Sequence, residues 1–273
     1  MENNLIKKKL VNEFRDGFKK LKLYRTKNLY VTSNLKSIAH IRIYKEDKLN
    51  IILNTLKEVM GKSFTIFSPS ASMNLCNKKI TFDLNKTPSY QMGPLAEHIR
   101  TQKNSVRSIH PYWSVCGIGK NSKILRHVSN HSYAHGSPWS KMLDLDTTQL
   151  NIGVHPSRAV TLIHHIETIS GVPYRFNKKF KCKVIINKKT IHDDFFMSVF
   201  FKNQKIQKRI KLNEHFFNEM KKLNLLNNYK TSFGLNMWSF KMRDFFNVAI
   251  KYFLDDIYNY LEFRPDLSYH NDL

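Results

Sequence analysis

His164 and Glu167, three positions apart, are the two side chains in this sequence best suited to move a proton. On a helix that spacing places both on one face. A histidine beside a carboxylate has its tautomer fixed and its imidazolium form stabilised, which makes it a competent general base. Such pairs are also common on protein surfaces, so alone this one reads more often as structural. His165 points about 100° away around the same helix and reads as structural. Arg107 and Ser108 suit a phosphate or pyrophosphate, the guanidinium binding through two donors and the hydroxyl adding a third. An isolated Arg-Ser pair is again more often structural. Cys116 could act as a nucleophile with a histidine, but buried inert cysteines are far commoner. His110, His155, His164 and Glu167 could ligate a metal if they converged. H-E-x-x-H is absent and no third ligand is fixed, so no metal is expected. Walker, G-x-G-x-x-G and G-x-S-x-G motifs are also absent, which argues against nucleotide hydrolysis, nicotinamide chemistry and the usual serine hydrolase.

The elements that must position these residues follow from the apolar pattern. Ile6, Leu10, Phe14, Phe18 and Leu21 recur at helical spacing over residues 4–22, with a basic outer face. Asn28 to Val31 reads as a buried strand opening into Thr32-Ser33-Asn34-Leu35. Leu49, Ile52, Leu53, Leu56 and Met60 mark a second helix closed by Gly61, and Ser63 to Phe67 a second strand stopped by Ser68-Pro69-Ser70. Strand, helix, strand in that order predicts a parallel pair with a crossover helix. Thr32-Ser33 and Ser68-Pro69 would then lie at the carboxyl edge, where such sheets gather their sites. Residues 70–90 are irregular, with a turn at Thr87-Pro88-Ser89. Gly93 to Arg100 can form a short helix, and Val106 to Val115 reads as a strand-like or extended functional loop. A helix starts at Gly136-Ser137-Pro138. Gln149 to Val154 is a third buried strand, leading through Ser157–Thr161 into the His164 helix. Val184 to Ile186 and Phe195 to Phe201 read as strands. Phe245, Ala249, Tyr252, Phe253, Ile257 and Tyr260 define a long closing helix. No linker, repeat or low-complexity tract divides the chain, so residues 1–273 are expected to form one domain. It comprises an N-terminal helix (1–25), a core (30–175) and C-terminal strands with a closing helix (176–273). The expected class is α/β, with a central, largely parallel or mixed sheet flanked by helices.

Lys and Arg number 45 against 21 Asp and Glu, a formal charge of +24. That excess suits anionic partners such as nucleic acid, a membrane surface or phosphorylated small molecules. The basic residues are scattered and no nucleic-acid-reading signature accompanies them, so nucleic acid is not expected. The 41% hydrophobic and 24% charged composition is that of a globular protein. No apolar run approaches the roughly 20 residues that span a bilayer. The charged N-terminus and three scattered cysteines suit a cytoplasmic protein with reduced thiols.

Read as an ordered set, the motifs resemble the aminoglycoside N3-acetyltransferase family, also called antibiotic N-acetyltransferase or YokD-like. Thr87-Pro88-Ser89 with Met92-Gly93-Pro94-Leu95 and Glu97 to Arg100 is similar to its T-P-S…G-x-L-x-E-x-x-R segment, and Asp83 stands where an acidic residue commonly precedes it. Val106-Arg107-Ser108-Ile109-His110-Pro111-Tyr112-Trp113-Ser114 resembles its R-S-x-H-P-x-x-S block. Gly136-Ser137-Pro138, Ile152-Gly153-Val154, Thr161 to Glu167 and Val172-Pro173-Tyr174-Arg175 resemble its G-S-P, L-L-G-V, T-x-L-H-x-x-E and V-P-Y-R segments. The resemblance covers residues 30–175 and is weak afterwards, apart from Gly234, expected to open a helix.

The resemblance implies transfer of an acetyl group from acetyl-CoA to an amine through a ternary complex. His164 is then the base and Glu167 its support. Thr32, Ser33, Leu35, Arg107, Ser108, His110 and Ser114 become the expected cofactor contacts, and Asp83, Tyr90 and Arg175 the expected acceptor contacts. Where the family usually reads V-H-x-S-L after the first strand, this chain has Val31-Thr32-Ser33-Asn34-Leu35, so Thr32 replaces a customary histidine. A polycationic acceptor would be repelled at long range by +24. An amino sugar, nucleotide-linked or from a polysaccharide precursor, is therefore expected over an aminoglycoside antibiotic. A catalytically degenerate member that binds CoA or a glycan is the alternative of another class, and a homodimer is left open.

Overall fold

The computed structural model describes residues 2–76, 78, 80–201, 214–261 and 264. The expected C-terminal third is therefore seen in part, and 202–213 lie outside the described residues.

Alternating side chains of β1 (Asn28–Ser33) set the layering. Leu29 and Val31 point into one core and Tyr30 into another, as a strand with both faces buried requires. Helices α1 (Glu2–Lys20), α2 (Lys45–Met60) and α3 (Pro94–Arg100) supply residues to the first core. In α1 these are Leu10, Phe14 and Phe18, the apolar stripe of the sequence. The second core is closed by α4 (Pro138–Asp144), α5 (Leu162–Ile169), α6 (Glu214–Lys222) and α7 (Met242–Asp255).

β1 pairs in parallel with β2 (Thr65–Pro69) and with β6 (Thr148–Ile152). With α2 joining β1 to β2, this is the anticipated crossover. The sheet is mixed. β5 (Val115–Gly119) runs antiparallel to β2, and β4 (Val106–Arg107) antiparallel to β5. On the other side β10 (Asn236–Lys241) runs antiparallel to β6 and to β9 (Asn227–Lys230), giving the order β4-β5-β2-β1-β6-β10-β9. A second sheet, β3-β7-β8, joins β3 (Phe82–Asp83) to a hairpin of β7 (Arg175–Ile186) and β8 (Lys189–Phe200).

The stretch Val106–Val115, expected to be strand-like or an extended loop, is strand at both ends, which pair as β4 and β5. Two sequence expectations need correction. Gly234 opens no helix; it sits with φ 79° in the connection between β9 and β10. The closing helix stops at Asp255, and a turn carries Ile257 and Tyr260. The two expected C-terminal strands are present and antiparallel, within a longer hairpin twelve residues to a side. Its turn places Asn187 and Lys188 at φ 49° and 67°. That is the double positive-φ geometry of a tight hairpin, made without the usual glycine.

Candidate active site

His164 lies on α5, whose approach is fixed by two buried amides of β6. Gln149 donates to the Asn151 side chain (2.9 Å) and to the Ala159 carbonyl (2.8 Å), and Asn151 donates to the same carbonyl (3.2 Å). This pins the segment leading into the helix. The His164 amide in turn donates to the Thr161 carbonyl. Thr161 and the half-buried Trp113 line a cleft of about 920 Å³ at the carboxyl ends of β1 and β2. Trp113 packs on Tyr133, and Tyr133 on the His164 ring, with ring centroids 6.1 and 5.3 Å apart. His164 does not itself line the cleft; it stands behind the wall, with the Tyr133 ring between it and Trp113.

The His164 side chain is 15% exposed and Glu167 is fully buried. His164 Nδ1 lies 2.6 Å from Glu167 Oε2, and Arg175 Nη2 lies 2.9 Å from the same oxygen. An ionised carboxylate only accepts, so the short contact requires the proton on Nδ1. Arg175 Nη2, 3.1 Å from Nδ1, then packs beside the ring rather than donating to it. The basic lone pair of the imidazole is left on Nε2. Burial alone would raise the Glu167 carboxyl, but the Arg175 guanidinium and the His164 bond outweigh it and hold it below the ordinary range. Glu167 is thus a fixed negative charge beneath the ring.

Arg175 was expected at the acceptor and is instead the third member of this cluster. Its Nη1 donates to the Ser198 carbonyl (3.0 Å) and its guanidinium stacks 3.9 Å from the Phe200 ring centroid. His165 is buried and donates from Nδ1 to the Tyr133 carbonyl, so it anchors the loop that carries Tyr133.

Thr32, Ser33 and Leu35 line the cleft, joined by Asn34, Met92, Gly93, Lys36, Lys45, Lys48 and Arg158. Four cations and no carboxylate face this space. The Thr32 hydroxyl is buried without a hydrogen-bond partner. Buried Lys48 holds the wall by donating to the Ile38 and Ala39 carbonyls, both at 3.0 Å.

Arg107, Ser108, His110 and Ser114 do not line the cleft; all four are buried. Arg107 donates to the Ser70 and Thr87 carbonyls and to the Ser72 and Ser114 hydroxyls. The Ser108 hydroxyl accepts from the Val115 amide, and His110 Nδ1 accepts from the Tyr112 and Trp113 amides. These residues hold the Trp113 loop in place, because buried polar groups must find partners and the turning backbone supplies them. Asp83 Oδ1 accepts from the Asn85 and Lys86 amides, and Tyr90 is 42% exposed; neither lines the cleft. Cys116 is buried in the core beneath α3, its thiol pushed up to about 12 by burial, so it is inert.

The buried His-Glu-Arg cluster on this mixed α/β frame suits proton transfer, and the family that the sequence matches makes the chain an N-acetyltransferase. The family model for aminoglycoside 3-N-acetyltransferase matches residues 30–254, and the chain belongs to that family. No curated protein matches it in sequence. Among solved structures, aminoglycoside acetyltransferase AAC(3)-Xa superimposes with a TM-score of 0.73 at 15% identity, covering 93% of this chain and 97% of that one. The YokD protein from Bacillus subtilis gives 0.73 at 19% identity, covering 90% and 94%. A binary complex of AAC-IIIb with CoASH gives 0.74 at 15% identity, covering 93% and 98%. At these identities the likeness is one of fold.

Proposed function

We propose that this chain transfers an acetyl group from acetyl-CoA directly to the amine of an amino sugar, nucleotide-linked or from a polysaccharide precursor. The observation that carries the reading is the buried cluster of His164, Glu167 and Arg175, one Tyr133 ring away from Trp113 in the wall of a cleft lined by four cations and no acid. The residues present fit acetyl-CoA. The cleft is large enough for an extended ligand, its cations suit phosphates, and the partnerless Thr32 hydroxyl can take a polar contact in place of the customary histidine. CoA occupancy of a structural neighbour supports the same assignment. When bound, acetyl-CoA supplies an activated acyl group on a good leaving sulfur. His164 Nε2 takes the proton of the attacking amine. Glu167 stabilises the resulting imidazolium, and Arg175 keeps Glu167 ionised and oriented.

The acceptor is read from charge. Aminoglycosides are polycations, and a cleft lined by cations with no carboxylate gives them nothing to pair with. A phosphorylated amino sugar is attracted instead. Chain 1–273 acts as one cytoplasmic domain in this reading, supported by α1 packing on α2. Among the described residues no helix is long and apolar enough to cross a membrane.

The test measures CoA release with a panel of amino sugars and aminoglycosides, wild type against His164→Ala. The variant should lose about 10²–10⁴-fold in kcat while still binding acetyl-CoA. Equal rates in the two proteins would sink the base assignment. Gentamicin turned over as fast as any sugar nucleotide would sink the acceptor assignment. CoA binding without turnover of any amine would favour a degenerate binding protein, the reading that Thr32 motivates.

A further inference from the structure

A second cationic pocket lies at the opposite edge of the main sheet from the cleft. The cleft takes Ser33 from the end of β1 and Pro69 from the end of β2. The second pocket takes Phe64, just before β2, and Ile118-Gly119, the end of the antiparallel β5. The two openings are therefore separated by the length of β2, roughly 17 Å at about 3.3 Å per residue.

This pocket encloses about 620 Å³. Lys57, Lys103, Lys123 and Arg126 line it, and no Asp or Glu does. None of the four takes part in an ion pair among the described residues. Lys57 is half-buried, with its ammonium 5.9 Å from the centroid of the Phe64 ring, and burial lowers its affinity for the proton. The Ser105 hydroxyl, also at the wall, is buried without a hydrogen-bond partner. Converging like charges repel one another, and a half-buried ammonium lacks part of its hydration. Both costs fall when a multivalent anion enters. A concave shape with an unmet donor distinguishes this arrangement from a solvated basic face.

We propose that this pocket is a binding site for a small anion carrying two or more linked phosphates, separate from the acetyl-transfer cleft. The phosphate chain bridges Lys103, Lys123 and Arg126 at the mouth and reaches Lys57 and the Ser105 hydroxyl at the wall. The shared chemistry is a polyphosphate, which a nucleotide or a free inorganic chain can supply.

Isothermal titration with tripolyphosphate and, separately, with ATP tests the site. Each should bind wild type with an affinity that falls with salt, and about tenfold or more weaker in the Lys103→Gln/Arg126→Gln double variant. The Lys19→Gln/Lys20→Gln protein, altered on α1, should bind as wild type does. Saturating acetyl-CoA should leave binding unchanged. ATP binding more tightly than tripolyphosphate assigns the pocket to a nucleotide, and equal binding to the phosphate chain alone. The proposal is overturned if neither probe binds, if the α1 variant weakens binding as much as the pocket variant, or if acetyl-CoA displaces the probe.

Discussion

Removing the Arg175 guanidinium would leave the Glu167 carboxylate fully buried without its arginine partner. An unpaired buried charge of this kind costs about 3–5 kcal/mol, so Arg175→Met should lower unfolding stability by that order in urea titration. The pH dependence carries the sign. Because Glu167 is held below the ordinary carboxylate range in the folded state, it contributes stability above its unfolded pKa and loses it as pH falls through the folded value. Arg175→Met should raise the folded value and move acid unfolding to higher pH. It should also lower kcat more than it raises KM, since Glu167 acts through His164. A variant as stable as wild type at neutral pH would contradict the buried cluster.

At the scale of elements, the loop after β1 is seated on a close backbone contact. Gly153 follows β6 at φ 68°, and a Cβ there would overlap the Asn34 carbonyl. Gly153→Ala should cost about 1–3 kcal/mol from backbone strain alone, with the overlap added. It should also raise the KM for acetyl-CoA by shifting Ser33 and Leu35, and thermal melting with steady-state kinetics checks both. The cleft's opposite wall, Gln91 to Pro94, rests on Glu97 of α3. Glu97 accepts from Arg100 (2.9 Å) and from the Ser89 amide and hydroxyl (3.0 and 2.6 Å). Burial would raise Glu97, but these donors lower it from 4.5 to about 2. Its stabilisation is complete above about 4.5 and disappears as pH falls towards about 2. Glu97→Gln should flatten the pH dependence of stability in that window and leave a smaller loss at neutral pH. An unchanged acid limb would show that the carboxylate does not hold the wall.

The molecule as a whole carries +24, and its cleft repeats that sign. Attraction of anionic ligands over more than about 8 Å is screened at physiological salt. Raising ionic strength should therefore raise the KM for acetyl-CoA and for an anionic acceptor. For a polycationic amine the same change should lower KM or leave it level. Initial rates between low and high salt check this, and a polycation whose KM rises with salt would contradict the charge argument.

The sequence by itself determined the local pattern and the candidate base. The period of Leu10, Phe14 and Phe18 declared a helix. The apolar run Leu29-Tyr30-Val31 declared a buried strand, and the three-residue step from His164 to Glu167 put both on one side of α5. These depend on neighbours along the chain, so local spacing suffices. Only the tertiary structure decided what long-range contacts decide. Arg107, Ser108, His110 and Ser114 resemble anion ligands in type, yet their donors and acceptors are spent on backbone up to 86 residues away, as in the His110–Phe196 contact. Arg175 looked like an acceptor contact because only the folding of β7 beside α5 brings it to Glu167. Lys36, Lys45, Lys48 and Arg158 were ordinary basic residues until β1, α2 and the segment after β6 met around one cleft. A side chain's type limits what it can do, and the surface it faces decides which of those things it does.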